Sequence, residues 1–570
     1  MKEVIKNKIV ELLKSVGVEA GGEFSVPPKL EMGDFAFPVF AIAKSEGKNP
    51  AELAKEIAEK VSGTANILIE KVQAFGPYVN FFLNTKELAK LTLAELKIQG
   101  NNYGTHKLGR GKKYLVEFAC PNPLKAFHLG HLKNLITGES VVRVFENAGY
   151  EVVRVNYQGD VGMHVAKALW GIIDWKDQFE NVKSLPLKVR VEFLGKAYAH
   201  GANHFEESDA AKEEVVKYND IVYENSNAEV MNVYAEARAW SLEYFDEIYR
   251  RLGSHFDRLY FESEMFKRGV ELVEEGLQKG IFTKSEGAVI FEGSKHGLHD
   301  RVFINSKGFP TYEAKDLALA ERHFADHHPN KVVHVVGKEQ TQYFEVLIKA
   351  LEFVLPESLG KEYHLVGGFL QLKGNQKMSS RKGNIVTGDE LLQDVLEQVQ
   401  EIMESSDKKG AALTPELVEK VGIAALKYGM LKSDVSQDVA FDLEESVSVA
   451  GESGPYLLYI VARIKSILRK VKAATIYTIP ENISSEEKQL LLKISEFPEV
   501  TRHAVESYDP SKISKYLFEL AQNFNTFYHA CPVMQEEGDI RNFRVALISC
   551  VLTVMERGLY LLGIETVEEM

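Results

Sequence analysis

Cysteine is scarce: Cys120, Cys531 and Cys550 are the only three in 570 residues, far apart and without a CxxC or Cys/His pairing. That excludes a disulfide framework and a cysteine-based structural zinc site, and such usage fits a reducing, cytoplasmic setting. Long apolar runs are missing too. No stretch is long enough to span a bilayer, and the opening residues MKEVIKNKIVELLKSVGVEAGG interleave charge with Val4, Ile5, Ile9, Val10, Leu12 and Leu13. That is the pattern of an amphipathic helix and not of a signal-peptide core. Internal repeats and low-complexity tracts are absent. Nor is positive charge in excess: 68 Lys and Arg against 82 Asp and Glu leave a net charge of -14 and a pI near 5.7. This argues against a histone-like wrapper and leaves any nucleic-acid binding to local basic patches.

What is present is length and an ordinary globular mixture, 45% hydrophobic and 26% charged, from which about two to four domains are expected. Residues 1–106 have the grammar of a small α+β module, with helical periodicity in the opening stretch and from Pro50 to Val61, and strands in NILIEKVQAF and YVNFFL. The Gly-rich, basic NNYGTHKLGRGKK marks a boundary. From there to residue 385 the order is α/β. YLVEFA, a loop, a helix from about Leu129 to Ala148 closed by Gly149, then EVVRVNY form a βαβ unit. Residues 171–260 read as a charged helical insertion, after which strand signals return in GAVIFEG, DRVFINSKGFPTY, KVVHVVG and HLVGGFLQLKG. Residues 386–445 form a helical connective region and residues 446–570 an all-helical domain. In the latter Leu457, Val461, Ile464, Leu468 and Val471 share one stripe, with Lys465, Arg469 and Lys472 on another.

Two stretches carry chemistry. In PNPLKAFHLGHLKN, His128 and His131 bracket Gly130 where a strand gives way to a helix, with Lys125 just before. A loop leaving the carboxyl end of a parallel strand is where such sheets bind ligands, and the unpaired N–H groups and positive dipole of the following helix attract phosphate. The imidazoles and the ammonium add donors, so the turn reads as a polyphosphate site. His-x-Gly-His alone recurs by chance. The second stretch, KMSSRKGN at Lys377 to Asn384, is a Ser/Lys/Gly loop after a strand, and its pairing in this order with the first makes chance a poor explanation.

In these two motifs the sequence resembles the class I aminoacyl-tRNA synthetases, HLGH being similar to their HIGH signature and KMSSR to their KMSKS loop. Within that class VEFACPNPLKAFHLGHLKN, GYEVVRVNYQGDVG, FPTYEAKDLA, VVGKEQ, GPYLLYIVARIKSILRK and YLFELAQNFNTFYHACPV resemble the arginyl-tRNA synthetases, over nearly the whole chain. The resemblance implies a Rossmann-type catalytic domain with a helical insertion, an N-terminal α+β domain and a C-terminal helical anticodon-binding bundle. It implies a ligase that joins L-arginine to ATP, with Mg2+, as arginyl-adenylate and passes the arginyl group to the terminal ribose of tRNA(Arg). It also implies ATP contacts from Lys125, His128, Gly130, His131, Lys377, Ser379 and Arg381, of which Lys125, His128, His131 and Lys377 would be catalytic. Glu117, Tyr312 and Asp316 would face the guanidinium, with Asn122 and Gln340 at the amino and carboxylate end. Tyr78, Asn80, Tyr456 and Asn525 would touch tRNA.

The residues fit that demand chemically. A guanidinium keeps its charge and needs acceptors around a planar fork. Tyr312 and Asp316, four apart at a helix start, share a face, and Glu117 is a carboxylate inside an apolar strand. Two departures stand out. Ser380 replaces the second lysine of the signature loop, so Lys125 is expected to carry much of the α-phosphate stabilisation, with Arg381 or Lys382 assisting; Val161 stands where the family has an aromatic, near Tyr157 and Asp160. Lys107, Arg110, Lys112 and Lys113 of the linker are expected phosphate contacts. The chain is expected to act as a monomer with no membrane partner. A class I synthetase for lysine and a tRNA-binding paralogue without catalysis are the alternatives.

Overall fold

The computed structural model describes residues 2–19, 24–64, 66–373, 386–405, 413–471 and 477–570. The N-terminal module runs α1 (Lys2–Ser15), β1 (Phe35–Pro38), α2 (Phe40–Glu46), α3 (Pro50–Ser62), β2 (Ile69–Phe75), β3 (Tyr78–Leu83) and α4 (Thr85–Gln99). Its antiparallel sheet has the order β1-β3-β2. Asn49 and Asn84 cap α3 and α4 by accepting from the first free backbone N–H groups.

The central domain begins with β4 (Lys113–Glu117), α5 (Leu129–Asn147) and β5 (Glu151–Gln158), the βαβ unit legible in the sequence. Five helices follow: α6 (Met163–Asp174), α7 (Lys176–Val182), α8 (Leu187–Glu207), α9 (Asp209–Glu224) and α10 (Ala228–Arg251). This helical run spans 163–251, displaced toward the N-terminus from the expected 171–260, because α6 starts directly at Gly162 and the chain is already extended at β6 (Arg258–Phe261). Then come α11 (Glu262–Gln278), β7 (Thr283–Ser285), β8 (Ala288–Phe291), β9 (Arg301–Ile304), α12 (Tyr312–His327), β10 (Lys331–Gly337), α13 (Thr341–Val354) and β11 (Glu362–Gly367). The main sheet is fully parallel in the order β11-β10-β4-β5-β6. β7, β8 and β9 form a separate antiparallel sheet, so two of the strand signals after the insertion do not belong to the main one.

β12 (Leu370–Leu372) ends the central segment, and α14 (Gly388–Ser405), α15 (Pro415–Leu431), β13 (Val439–Phe441) and α16 (Leu443–Val447) follow, with β13 returning to pair in parallel with β12. The last module is helical throughout: α17 (Gly454–Lys470), α18 (Ser485–Ser507), α19 (Ser511–Ala530) and α20 (Gly538–Leu561). One apolar core joins the N-terminal module, α5 and this bundle. The Ser140 hydroxyl donates to Leu561 O at 2.9 Å, Arg557 donates to Asn147 Oδ1 at 2.6 Å, and Phe145 meets Tyr508 edge-on at 5.0 Å.

Candidate active site

The sheet order places the topological switch between β4 and β10, whose following helices depart from opposite flanks, and the loop after β4 opens into that crevice. This loop is strained: Ala119, Cys120 and Leu124 all have positive φ (68°, 49° and 65°), a cost of about 1–3 kcal/mol each for residues bearing a Cβ. It leads into α5, whose cap is built from the two histidines. Nδ1 of His128 accepts from Gly130 N at 3.1 Å, and Nδ1 of His131 accepts from His128 N at 3.2 Å. The rings stack at 3.5 Å. A Cβ on Gly130 would stand 3.0 Å from the His128 ring, so glycine lets that ring fold over the helix end.

With Nδ1 occupied as an acceptor, each ring is a neutral tautomer carrying its proton on Nε2. Partial burial and the adjacent Lys125 ammonium push His128 below the usual imidazole range; burial, with His128 and Lys125 beside it, pushes His131 well below. The pair therefore acts as two N–H donors, while positive charge comes from Lys125 and the helix dipole. Lys125 Nζ stands 5.1 Å from the centre of the Tyr198 ring on α8. Lys377, Ser379 and Arg381, with Ser380 and Lys382, lie outside the described residues. The residues that follow them are tied to the turn: Thr387 bridges His128, and Gly388 N donates to Phe127 O at 2.7 Å.

Beside the turn lies an acidic cleft. Glu117 ends β4, Asp316 stands one turn into α12, and Glu262 begins α11. The Lys315 ammonium pairs with Glu262, and the Tyr343 hydroxyl donates to Asp316. Asn122 Oδ1 accepts from Gly159 N at 3.1 Å and would be 2.7 Å from a Cβ there, so the β4 and β5 loops interlock through a glycine. Burial, and after it the negative charges of Glu117 and Glu262, push Asp316 up to about 8 despite the Tyr343 bond. Glu117 Oε2 and the Tyr157 hydroxyl are buried without a partner among the described residues. Tyr312 is 57% exposed with its ring 4.5 Å from Lys315 Nζ, and Gln340 is exposed just before α13. Asp160 is not available to a ligand: Ser263 N and Oγ, Arg238 and Tyr234 take up its carboxylate.

Two residues of this cleft carry no motif signal. His334, in β10, sits between Glu117 Oε1 at 3.1 Å and Glu362 Oε2 at 2.8 Å. A histidine inside the apolar run KVVHVVG is the one trace it leaves in the sequence. Tyr343 leaves none, since only the packing of α13 against α12 brings it to Asp316.

Residues 92–443 match the family described as tRNA synthetases class I (R), catalytic domain, over more than half of the chain. The chain belongs to the class I arginyl-tRNA synthetases. Residues 1–83 match the arginyl-tRNA synthetase N-terminal domain and residues 457–570 the DALR anticodon binding domain. The chain is 32% identical to the arginine–tRNA ligase of Clostridium acetobutylicum, covering 100% of both, and 31% identical to that of Clostridium perfringens, covering 96% of this chain and 95% of the relative. Its fold is similar to Thermus thermophilus arginyl-tRNA synthetase with a TM-score of 0.80 at 23% identity, covering 100% of both.

On the N- and C-terminal modules of this arginyl-tRNA synthetase the residues expected to touch tRNA separate. Tyr78 is half-buried with Phe40 edge-on at 5.6 Å, whereas Asn80 is 1% exposed and donates to Met32 O at 2.6 Å, holding a turn. Tyr456 and Asn525 meet, Asn525 Nδ2 donating to the Tyr456 hydroxyl at 2.8 Å; the Tyr456 ring is 8% exposed and packs on Phe518, which leaves no face for a base. The accessible side of this pair is Arg463, which donates to Asn525 Oδ1 at 3.3 Å and stands 4.7 and 5.3 Å from the ring centres of Tyr459 and Tyr528. Of the expected basic stripe Lys472 lies outside the described residues, and the other two cations are not free. Lys465 pairs with Glu556 and Glu568, and Arg469 with Glu568 and Glu569. No described helix is long and apolar enough to cross a membrane.

The cleft also gives this arginyl-tRNA synthetase a pH signature. Burial opposes a charge on His334, but Glu117 and Glu362 overcome it and raise the ring from 6.5 to about 10. A raised folded value gives stability that is complete below about pH 6.5 and is lost as pH rises through about 10. Asp316, raised from 3.8 to about 8, loses stability in the same direction between those two values. The urea unfolding midpoint is therefore expected to fall from pH 6.5 to 10, and saturating arginine is expected to flatten the part below pH 8. A midpoint that climbs across this range contradicts both assignments.

Proposed function

We propose that the crevice activates L-arginine and charges tRNA(Arg), with the residues in the following roles. The arginine carboxylate attacks the α-phosphorus of ATP in line, an oxygen–phosphorus bond forms, and pyrophosphate leaves. The terminal ribose hydroxyl then attacks the arginyl carbonyl and AMP leaves. Charge builds on phosphate oxygens in the first step, so positioning and fixed donors supply the catalysis and no covalent enzyme nucleophile is needed. His128 and His131 donate through Nε2–H, Lys125 supplies the charge near the α-phosphate, and Gly130 lies against the nucleotide. Lys377, Ser379 and Arg381 are assigned to the pyrophosphate from their motif. Mg2+ enters with ATP as part of the substrate.

Glu117, Tyr312 and Asp316 take the guanidinium, and Asn122 and Gln340 the amino and carboxylate end. Tyr78, Asn80, Tyr456 and Asn525 are assigned to tRNA, with Tyr78 and Asn525 reaching it directly, Tyr456 holding Asn525 and Asn80 holding the turn at Met32. The modules divide as residues 1–106, 107–385, 386–445 and 446–570, and the protein works as a cytoplasmic monomer. The observation that carries the reading is the pair of carboxylates, Glu117 and Asp316, in the switch-point crevice beside the histidine cap. Pyrophosphate exchange from ATP, measured with each standard amino acid with and without tRNA, tests it. Exchange with arginine alone is expected; exchange with lysine and not arginine removes the reading, and no exchange beside tight tRNA binding favours the non-catalytic paralogue.

A further inference from the structure

The register between β4 and β10 sets His334 directly opposite Glu117. On its other side Glu362 at the start of β11 reaches the second ring nitrogen. Both nitrogens thus face carboxylate oxygens, an arrangement that only the doubly protonated ring satisfies. Glu117 is 4% exposed; one of its oxygens is held by His334, and the other, Oε2, has no partner among the described residues. Buried carboxylate oxygens are rarely left unpaired, and one left so at a ligand crevice is an acceptor waiting for a donor. Fixing one oxygen of a carboxylate removes its rotation and sets the direction of the other.

We propose that His334 is a positioning residue for arginine recognition: bridging Glu117 and Glu362 across three strands, it holds Glu117 with Oε2 turned to the substrate cation. This rests on the reading of Glu117 as part of the arginine pocket. The charged and titratable groups around the ring are Glu117, Glu362, Asp316 across the cleft, His323 of α12 and His364 of β11. The Phe344 ring of α13 closes its remaining face at 5.0 Å. Among these His334 is the cation that holds Glu117 below the usual carboxylate range against the cost of its burial. Without it, Glu117 drifts toward its protonated form and ceases to be an acceptor for a guanidinium.

The full-length protein with tRNA present is assayed by pyrophosphate exchange between pH 6 and 9, as wild type, His334→Gln and Glu362→Gln. His334→Gln is expected to raise KM for arginine about tenfold at pH 7, the usual worth of a partner that orients a ligand-holding group, with KM for ATP within about twofold. The ratio of arginine KM to that of wild type shrinks as pH rises, because Glu117 then ionises without help. Glu362→Gln, which keeps the imidazole at Glu117, gives a smaller rise in the same direction and carries the test if His334→Gln fails to fold. A ratio independent of pH, equal changes in the two KM values, or an unchanged arginine KM overturns the proposal and leaves His334 as a strap between strands. If wild type prefers lysine, the pocket reading itself fails; if wild type uses arginine and both variants match it, only this inference does.

Discussion

Asp316→Asn is expected to lower kcat/KM for arginine by about a hundred- to a thousandfold while KM for ATP stays within about twofold. The size follows from removing one partner of a desolvated charge pair, a loss of about 3–4 kcal/mol. In the free protein the carboxyl is raised to about 8, so at pH 7 much of it carries a proton. A guanidinium entering beside it restores the carboxylate and expels that proton, so arginine affinity of wild type is expected to climb with pH up to about 8 and then level. The Asn variant loses this dependence. It is also expected to be more resistant to urea than wild type at pH 8–9, because an amide accepts the Tyr343 hydroxyl without an ionisation penalty in the acidic cleft. Unchanged arginine kinetics, or a variant with wild-type pH dependence, would show that the substrate cation docks elsewhere.

The second large effect belongs to Lys125. With both imidazoles neutral at the cap and Ser380 in the place of the usual loop lysine, the proposed source of positive charge near the α-phosphate is this ammonium. Lys125→Ala is expected to reduce kcat for pyrophosphate exchange by about a hundred- to a thousandfold, the worth of one fixed donor to a developing oxyanion. KM for arginine should change little, since the proposed holders of the guanidinium are other groups. Adding Ser380→Lys to Lys125→Ala restores the lysine of the signature loop and is expected to recover about tenfold of the loss. A kcat that survives Lys125→Ala, or a double variant no faster than the single one, means that the charge is supplied from another part of the site. Tyr198, on whose ring the ammonium rests, belongs to the helical insertion. Tyr198→Ala therefore lets Lys125 wander, and a modest fall in kcat without a change in fold is its expected signature.

The backbone of this site was legible wherever the signal was local. The bounds of α5 follow from an apolar periodicity closed by Gly149, and β4, β5, β10 and β11 from short stretches rich in Val, Leu and Tyr in a parallel sheet. What escaped depends on partners distant in the chain. GAVIFEG and DRVFI have the same pattern as core strands, yet they pair with each other, because pattern alone does not choose a partner. β13 hides in the acidic DVSQDVAFDLEES, since only three residues are extended and β12 supplies their hydrogen bonds. Lys465 and Arg469 look like a free basic stripe until the chain returns after α20 and brings Glu568 and Glu569 against them. Likewise, Glu117 is conspicuous as a carboxylate in an apolar strand, but its holder His334 lies more than two hundred residues away.

The seam between α5 and the C-terminal bundle bears on any attempt to dissect the molecule. Sequence modules suggest that the synthetic centre could be excised by cutting ahead of Gly454. Such a fragment would strip the cover from Phe145, orphan the Ser140 hydroxyl and leave Asn147 without Arg557, all on the rod whose opposite tip carries the histidine pair. The helix that presents the two imidazoles is thus propped at its far end by the last module of the chain.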